Sequence, residues 1–253
     1  MHEEKKNNYA DEYKRDFENF LRNTDEKKVL CTEIEQYISQ YDIDSVLDIG
    51  AGNGELSAPL AQKVSKYVAI EKNPEFVSQL RDLGIETIEA EFPMRVADTF
   101  DMVLASHAFS YRTEDFSAFI TEFVHTAWEL VHDRGIFLMI GAGGEKNDWY
   151  QLMKQIGEED ELQPNIVGYQ ETLRQLQALG EVEIRSILTF VRTGTMEDMI
   201  SALTFVAGKG DPARKERFLR HRAFLEDVLK KHNTVENGFA FPFHHYFHSI
   251  QKG

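Results

Sequence analysis

The chain has 253 residues and a mass of 29.2 kDa, and its 42% hydrophobic and 28% charged residues exclude disordered, fibrous and collagen-like proteins. Its 28 Lys and Arg against 43 Asp and Glu leave a net charge of −15, which repels phosphate backbones and disfavours a nucleic-acid partner. A cationic or neutral small molecule suits this charge better, and the length suits one α/β domain.

The first 40 residues have the periodicity of helices. Apolar residues recur at helical spacing over 13–21 and again over 30–38, among charged residues. Residues 23–25 are Asn, Thr and Asp, which favour turns and helix caps. The segment is therefore predicted to form two helices.

From residue 45, short β-branched runs alternate with segments of helical period. The runs predict buried parallel strands at 45–49, 67–71, 85–89, 100–105 and 135–140. Helices are predicted between them at 56–64, 74–83 and 116–130, with Pro74 at a helix start. This alternation indicates a doubly wound α/β sheet.

After residue 144, predicted strands and helices no longer alternate regularly. Helices are predicted at 149–156, 168–179, 196–206 and 212–232, and strands at 182–191 and 239–250. We therefore predict a single domain over residues 1–253, with 45–141 as the core and 145–253 on the substrate side. The helical segments 1–40 and 195–235 are predicted to cover the carboxyl edge of the sheet as a lid.

Several residue types point to a cytoplasmic protein with no membrane partner and no metal. Cys31 is the single cysteine, so an internal disulfide framework and a Cys-rich zinc site are excluded. His244 and His248 lie too far apart along a regular strand for easy joint ligation. No apolar run approaches the roughly 18 to 20 residues that span a bilayer, and the opening residues do not resemble a secretory leader.

The strongest motif is a glycine-rich turn between a predicted strand and a predicted helix. It places Asp48, Gly50, Gly52 and Gly54 at alternate positions. Glycines allow positive φ and a close approach of the backbone to a ligand, and the helix that follows offers unpaired amides. Glu71 ends the next predicted strand, where a carboxylate can accept both hydroxyls of a ribose. The two features together indicate a nucleotide-like cofactor.

The same turn argues against two common cofactors. A dinucleotide fingerprint would require a third glycine at position 55, where the chain has Glu55. A P-loop would require Gly-Lys-Ser or Gly-Lys-Thr after the turn, and neither follows it. Nicotinamide and ATP are therefore disfavoured.

The pattern Asp48-x-Gly50-x-Gly52-x-Gly54 followed by Glu71 resembles the class I S-adenosylmethionine-dependent methyltransferases over about residues 45–141. The resemblance implies S-adenosyl-L-methionine as cofactor and S-adenosyl-L-homocysteine as product. It also implies a Rossmann-like seven-stranded sheet in which 182–191 and 239–250 supply the late strands, the last of them antiparallel. By the same resemblance the glycine loop approaches the methionine part of the cofactor and Glu71 the ribose. Further cofactor contacts implied in this way are Phe76, Ala90, Glu91, Phe92 and Ser106.

The N-terminal segment is similar to the opening of histamine N-methyltransferase-like small-molecule methyltransferases. Tyr13 and Phe17 lie in an aromatic-rich stretch of this kind, and Glu26 matches the substrate-binding glutamate of that family. Tyr111 after the fourth strand and Trp149 after a Gly-rich turn extend the likeness. The resemblance implies that these five residues bind the methyl acceptor, an amine or a heteroaromatic nitrogen.

His107 follows the fourth predicted strand, where the histamine-type family has a glutamine. The resemblance places it near the sulfonium, and an imidazole there can orient or deprotonate the attacking atom. Glu26 can pair with an ammonium group of the acceptor. His107 and Glu26 are therefore the predicted catalytic residues, and both are also predicted to bind the substrate.

Two alternatives remain open at this point, an RNA methyltransferase and a cofactor-binding sensor without turnover. The fourth-strand segment lacks the Asn-Pro-Pro-Tyr and Asn-Leu-Pro-Tyr motifs of enzymes that methylate adenine. A basic cluster favours RNA, but Asp211 and Glu216 interrupt it, which predicts a solvated helix face instead. The cluster consists of Lys209, Arg214, Lys215, Arg217, Arg220 and Arg222.

Overall fold

The computed structural model describes residues 17, 19–108, 116–142, 147–208, 211–232, 234–236 and 238–253, which form two compact units. The sheet unit comprises the described residues of Lys27–Asn147, Glu161–Ile187 and His244–Gly253. The helix-rich unit comprises the described residues up to Glu26, with Asp148–Asp160 and Leu188–Phe243.

The elements follow the chain in a largely alternating order. The strands are β1 (Ser45–Ile49), β2 (Lys66–Glu71), β3 (Glu86–Glu89), β4 (Phe100–Ser106), β5 (Val131–Gly141), β6 (Glu183–Thr193), β7 (Thr234–Val235) and β8 (Gly238–Gln251). The helices are α1 (Glu26–Gln40), α2 (Ser57–Ala61), α3 (Pro74–Asp82), α4 (Phe116–Glu129), α5 (Asp148–Gln155), α6 (Gln163–Leu179), α7 (Met196–Gly208), α8 (Pro212–Leu219) and α9 (Arg222–His232). A short 3-10 helix covers Glu159–Leu162.

The strand order of the sheet is β3-β2-β1-β4-β5-β8-β6, with β7 paired to β8 off this path. Neighbouring strands from β1 to β5 are parallel. Strand β8 runs antiparallel to β5, so that Leu138 lies opposite Ser249. The structure therefore confirms the prediction of a doubly wound, mostly parallel sheet with seven main strands and an antiparallel last strand.

Both faces of the sheet are buried, which explains why its strands read as apolar runs rather than as alternating ones. Successive residues of a strand point to opposite faces, so Val46 and Met102 join one core cluster whereas Leu47 and Val103 join the other. Helix α1 covers the first cluster and helix α4 covers the second. Each cluster holds buried aliphatic side chains, which supply most of the driving force for folding of this unit.

Helix α1 is part of the core rather than an isolated cover. Its side chains at Leu30, Ile34, Tyr37 and Ile38 are buried, and all four belong to the first cluster. They recur at intervals of three and four residues, as an amphipathic helix on a sheet requires. The segment predicted as a lid therefore contributes core residues from position 30 onward, and a covering role for the rest of the segment stays a prediction.

The other departures from the predicted elements are local. The helix predicted over 212–232 is two helices, because the chain turns at Arg220 and His221. The amide N–H of Arg220 bonds to the carbonyls of Glu216 and Arg217, which closes α8. Strand β5 begins at Val131, four positions before its predicted start, and α2 is shorter than its predicted helix.

The helix-rich unit is organised around aromatic side chains. Trp149 lies 5.7 Å from Phe218 and 6.0 Å from Phe243 between ring centroids, and it stacks on the latter. Phe241 joins the same group edge-on. All four side chains are buried, so they form the core of this unit.

The buried imidazole of His248 gives the sheet unit a defined response to acid. His248 is 3% exposed, and its Nε2 lies 3.1 Å from the Tyr169 hydroxyl. Burial lowers the pKa of His248 to about 4, against an ordinary value of 6.5. Between these pH values the unfolded chain binds a proton that the folded chain does not, so stability rises with pH across this window.

We therefore expect the shifted pKa of His248 to lower the free energy of unfolding by about 1.4 kcal/mol for each pH unit from pH 6.5 down towards pH 4. His248→Gln should reduce that slope, measured by urea denaturation at a series of pH values. His125→Gln, at an exposed histidine on α4, is the matched control and should leave the slope unchanged. An unaltered slope in His248→Gln would contradict the assignment.

Candidate active site

A cavity of about 740 Å³ opens at the carboxyl ends of the parallel strands, within the sheet unit. The loops after β1, β2, β3 and β4 all reach it, because parallel strands end at the same edge of a sheet. Helix α4 closes one side. The lining residues are Ile49, Gly50, Ile70, Glu71, Lys72, Ala90, Glu91, Phe92, Pro93, His107, Ala108, Phe119, Glu122 and Phe123.

The glycine loop after β1 has the backbone that its sequence predicts. Gly50, Gly52 and Gly54 have φ values of +74°, +60° and +82°, which only glycine adopts without strain. A Cβ on Gly50 would lie 3.0 Å from the Cβ of Ala108, so the loop packs closely on the end of β4. Around Gly52 no described atom comes within 4 Å of the corresponding position, whereas at Gly54 it would lie 2.9 Å from Leu83. Gly52 and Gly54, predicted to contact the cofactor, are absent from the cavity lining.

Glu71 links the glycine loop to the end of β2. Its Oε2 accepts the N–H of Gly52 at 2.9 Å, and its Oε1 accepts the N–H of Asn73 at 2.8 Å. The side chain is 8% exposed and lines the cavity. Because a carboxylate has about four acceptor positions, Glu71 keeps the capacity to accept further hydroxyl donors.

Asp48 lies in the interior beneath the glycine loop, near the end of β1. Its Oδ2 accepts hydrogen bonds from the hydroxyl of Ser57 at 2.7 Å and from that of Tyr67 at 2.8 Å. The carboxyl is 3% exposed, and this burial raises its pKa above the usual range, against the lowering effect of the two hydroxyls. Asp48 is absent from the cavity lining, so the structure places it as a brace between β1, α2 and β2.

His107 lies where β4 ends and the cavity begins. Its φ of 51° is in the left-handed region, which non-glycine residues enter rarely, and its N–H is bonded to the carbonyl of Ile140 at 2.9 Å. The imidazole Nε2 lies 3.1 Å from Nδ1 of His245 on β8. The two rings meet edge to face, with centroids 5.2 Å apart.

The remaining predicted cofactor residues divide into two groups. Ala90, Glu91 and Phe92 line the cavity after β3, and the exposed Glu91 carboxylate pairs with Lys72 at 2.6 Å. Phe76 on α3 is only partly buried and is absent from the lining. The Oγ of Ser106 is buried, and no described residue gives it a hydrogen-bond partner.

The residues predicted to bind the acceptor lie in other parts of the chain. Phe17 and Glu26 belong to the helix-rich unit, where Phe17 packs 5.6 Å from Phe205 and the N–H of Glu26 bonds to Thr24. Trp149 is 7% exposed in the aromatic core of the same unit. Tyr13 and Tyr111 lie outside the described residues.

Sequence reasoning missed part of the lining and the partner of His107. Phe119, Glu122 and Phe123 reach the cavity from α4, and their spacing of three and four residues could have indicated one helix face. His245 gave no such signal, because its role depends on the pairing of β8 with β5.

Comparisons with known proteins agree with this geometry. Residues 46–127 match the family model described as a methyltransferase domain. A methyltransferase structure from Bacillus halodurans C-125 is 16% identical, with 83% of this chain and 92% of that chain covered and a TM-score of 0.54. The YcgJ protein of Bacillus subtilis is 15% identical, with 86% and 97% covered and a TM-score of 0.53. The plantazolicin methyltransferase BpumL, solved with S-adenosyl-L-homocysteine (SAH), is 13% identical, with 98% and 91% covered and a TM-score of 0.50.

The strand order, the glycine loop with its carboxylate and the family match together define a class I S-adenosylmethionine-dependent methyltransferase. Its cofactor is S-adenosyl-L-methionine. A search of curated protein sequences found no match to the chain. The structures named above do not include a histamine N-methyltransferase, so that narrower resemblance stays a prediction.

Among the described residues, no helix has the length and hydropathy of a membrane span. Within the same ranges, no cluster of three or more His, Cys, Asp or Glu side chains is arranged to hold a metal ion.

Replacing Asp48 tests its role as a brace. Asp48→Ala leaves the Ser57 and Tyr67 hydroxyls buried without their acceptor, so we expect a loss of about 2 to 4 kcal/mol in unfolding free energy. Tyr67→Phe removes one donor and keeps the carboxylate, and should cost about 1 kcal/mol. Chemical denaturation measures both. If Asp48→Ala and the wild type were equally stable, Asp48 would not stabilise the fold through its hydrogen bonds to Ser57 and Tyr67.

Proposed function

We propose that this enzyme transfers a methyl group from S-adenosyl-L-methionine to a nitrogen of a small-molecule acceptor, with His107 at the reacting end of the cavity. The observation that carries the proposal is the joint lining of one cavity by Gly50 of the glycine loop, Glu71 and His107. Such a cavity holds the cofactor at one end and leaves an imidazole at the other.

The residues present fit the cofactor. Glu71 has acceptor capacity for the ribose hydroxyls, and Gly50 brings the backbone of the glycine loop to the cavity wall. Phe92 and Phe119 offer apolar surface for the adenine ring. Ser106, beside His107, is absent from the cavity lining, so its contact with the cofactor stays a prediction.

Bound S-adenosyl-L-methionine supplies an activated methyl group and leaves as SAH. The protein therefore has to align the acceptor in line with the methyl carbon and exclude water, since positioning accounts for much of the rate of such displacements. His107 is suited to orient the acceptor nitrogen or to receive its proton. Its backbone is held by the bond to Ile140, which keeps the ring at the mouth of the cavity.

The charges favour a small molecule over RNA as acceptor. The net charge is −15, and several basic side chains of the predicted cluster lie beside acids. Arg222 pairs with Glu197 and Glu226, and Arg217 lies 3.8 Å from Glu158. Lys215 is buried, contrary to the solvated helix face that the sequence predicts. Side chains in ion pairs or in the interior are poorly placed to track a phosphate backbone.

The role of Glu71 is tested by cofactor affinity. Glu71→Gln removes the charge that strengthens hydrogen bonds to ribose hydroxyls, so we expect the Kd for SAH to rise by about tenfold or more in calorimetric titration. Glu86→Gln, at an exposed carboxylate on β3 that is absent from the cavity lining, is the control and should change the Kd less than threefold (about 0.6 kcal/mol). Equal affinities for wild type and Glu71→Gln would remove Glu71 from the proposed site.

The acceptor class is tested with methyl-labelled S-adenosyl-L-methionine and a panel of amines, imidazoles, phenols, carboxylates and bulk RNA. We expect label in an amine or imidazole, and a loss of about 100-fold in kcat for His107→Ala if the imidazole acts on the acceptor's proton. His125→Ala is the matched control at an exposed histidine. A rise in the KM of the acceptor in Glu26→Gln would support the predicted binding role of Glu26.

Other outcomes of the same assay separate the alternatives. Label in RNA alone, with binding that weakens steeply as salt increases, would favour the RNA methyltransferase. Binding of the cofactor without transfer to any member of the panel would favour the sensor.

A further inference from the structure

Another cavity of the sheet unit lies away from the candidate active site. Its volume is about 470 Å³, which is large enough for a small organic ligand. None of its described lining residues lines the candidate active site. We call this cavity the distal pocket, and its lining residues are Tyr41, Ile136, Glu181, Glu183, Ser249 and Gln251.

The distal pocket lies towards the amino ends of the parallel strands. On β5, Ile136 comes four residues before Ile140, and Ile140 pairs with Ser106 at the carboxyl end of β4. At about 3.3 Å per residue, Ile136 is therefore about 13 Å from the strand ends that carry the cofactor loops. A ligand in the distal pocket would not occupy the cofactor cavity.

The hydroxyl of Ser249 is the observation that points to a ligand. Ser249 lies opposite Leu138, and opposite residues of an antiparallel pair share one face of the sheet. Leu138 belongs to the core cluster under α1, so the Ser249 side chain points to that face, where it lines the distal pocket. Ser249 is 4% exposed, and no described residue forms a hydrogen bond with its hydroxyl. A buried hydroxyl normally has a partner, so this one is available to a ligand.

Two carboxylates give the distal pocket a negative charge. Glu181 and Glu183 are exposed, and neither forms an ion pair with a described residue. Burial, and after it the charge of Glu183, raises the pKa of the Tyr41 hydroxyl above its ordinary value. This effect of Glu183 agrees with a carboxylate close to the Tyr41 ring across the pocket.

The surroundings of the pocket do not cancel this charge. Arg185 acts on Tyr41 as a nearby cation. Its guanidinium already pairs with Glu33 at 3.1 Å and lies over the ring of Tyr37. Helix α1 ends at Gln40, and its last turn has no basic residue. Because the carbonyls at a helix C-terminus carry partial negative charge, they add to the attraction for a cation.

We propose that the distal pocket binds a small aliphatic diamine, with its two ammonium groups at Glu181 and Glu183. One ammonium group also donates a hydrogen bond to the hydroxyl of Ser249. The alkyl chain lies against Ile136, and the ring of Tyr41 offers a π-face to the cation. The proposal goes beyond the proposed function, because the two sites have no lining residue in common.

A diamine fits these groups better than a metal ion or a neutral molecule does. Two carboxylates without ion-pair partners among the described residues attract two positive charges. A divalent metal ion would need several oxygen ligands around one point. In the described part of the chain, no three His, Cys, Asp or Glu side chains are grouped to hold one. A neutral diol can bond to Ser249 but leaves both carboxylates without a counter-charge.

Methyl NMR of isoleucine-labelled protein locates the ligand, with 1,4-diaminobutane as the probe. The Ile136 signal is assigned by its loss in Ile136→Val. We expect that signal to shift with saturation, whereas Ile49 and Ile70, which line the candidate active site, keep their positions. The absence of a shift at Ile136 at millimolar diamine would overturn the proposal. Shifts confined to Ile49 and Ile70 would place the diamine in the candidate active site and would also overturn it.

Two comparison probes test the class of ligand. 1,4-Butanediol has the length of the diamine without its charge, and Mg²⁺ has the charge without the alkyl chain. We expect neither to give a saturable shift at Ile136 where the diamine does. An equal response to the diol, or tighter binding of Mg²⁺, would overturn the assignment to a diamine.

Charge-matched variants separate this pocket from the overall charge of the protein. Glu181→Gln combined with Glu183→Gln should raise the Kd for the diamine by about tenfold, because both ion pairs are lost. Glu86→Gln combined with Glu129→Gln, at exposed carboxylates outside both cavities, is the control and should change it by less than about threefold. Equal weakening in the two double variants would show attraction to the net charge alone and overturn the proposal.

Ser249→Ala tests the buried hydroxyl. The Kd for the diamine should rise by about threefold, while resistance to urea stays that of the wild type, because the hydroxyl has no partner within the described residues to lose. An unchanged Kd would overturn the proposal. The Kd for SAH should be the same in the wild type and in the Glu181→Gln, Glu183→Gln variant, so this test is independent of the methyl-transfer site.

Discussion

The two hydrogen bonds that the Glu71 carboxylate accepts are the interactions on which the glycine-loop end of the cavity depends. By accepting the N–H groups of Gly52 and Asn73, the carboxylate ties the loop after β1 to the loop after β2 at the edge where parallel strands end. The positive φ at Gly52 makes that N–H available, and the buried Asp48 holds the strand beneath it. One side chain thus shapes the loop and also faces the cavity.

The other end of the cavity depends on a contact of a different kind. His107 stands in a left-handed conformation at the end of β4, and β8 reaches it only because the sheet continues through β5. The buried ring of His245 lies 3.1 Å from the exposed ring of His107. Gly50, Glu71 and His107 thus line one cavity from the ends of three parallel strands.

The sequence was informative where function follows from local chain geometry. A buried run, alternate glycines and an acid at the end of the next strand describe a binding loop within about 25 residues, so Gly50, Gly52 and Glu71 could be predicted. The same reasoning assigned Phe76 to the cofactor, yet Phe76 is absent from the cavity lining, because the direction of a helical side chain depends on how the helix packs. Trp149 illustrates the same limit, since an aromatic residue is equally suited to a pocket and to the core that Trp149 occupies.

By itself the sequence determined the α/β class, the glycine turn after β1 and the carboxylate at the end of β2, because each follows from short-range periodicity or spacing. Only the tertiary structure decided that α1 joins the core, that α4 lines the cavity and that His107 meets His245. Those contacts join residues far apart in the chain, and their geometry is set by the joint packing of helices and strands, which no local pattern encodes.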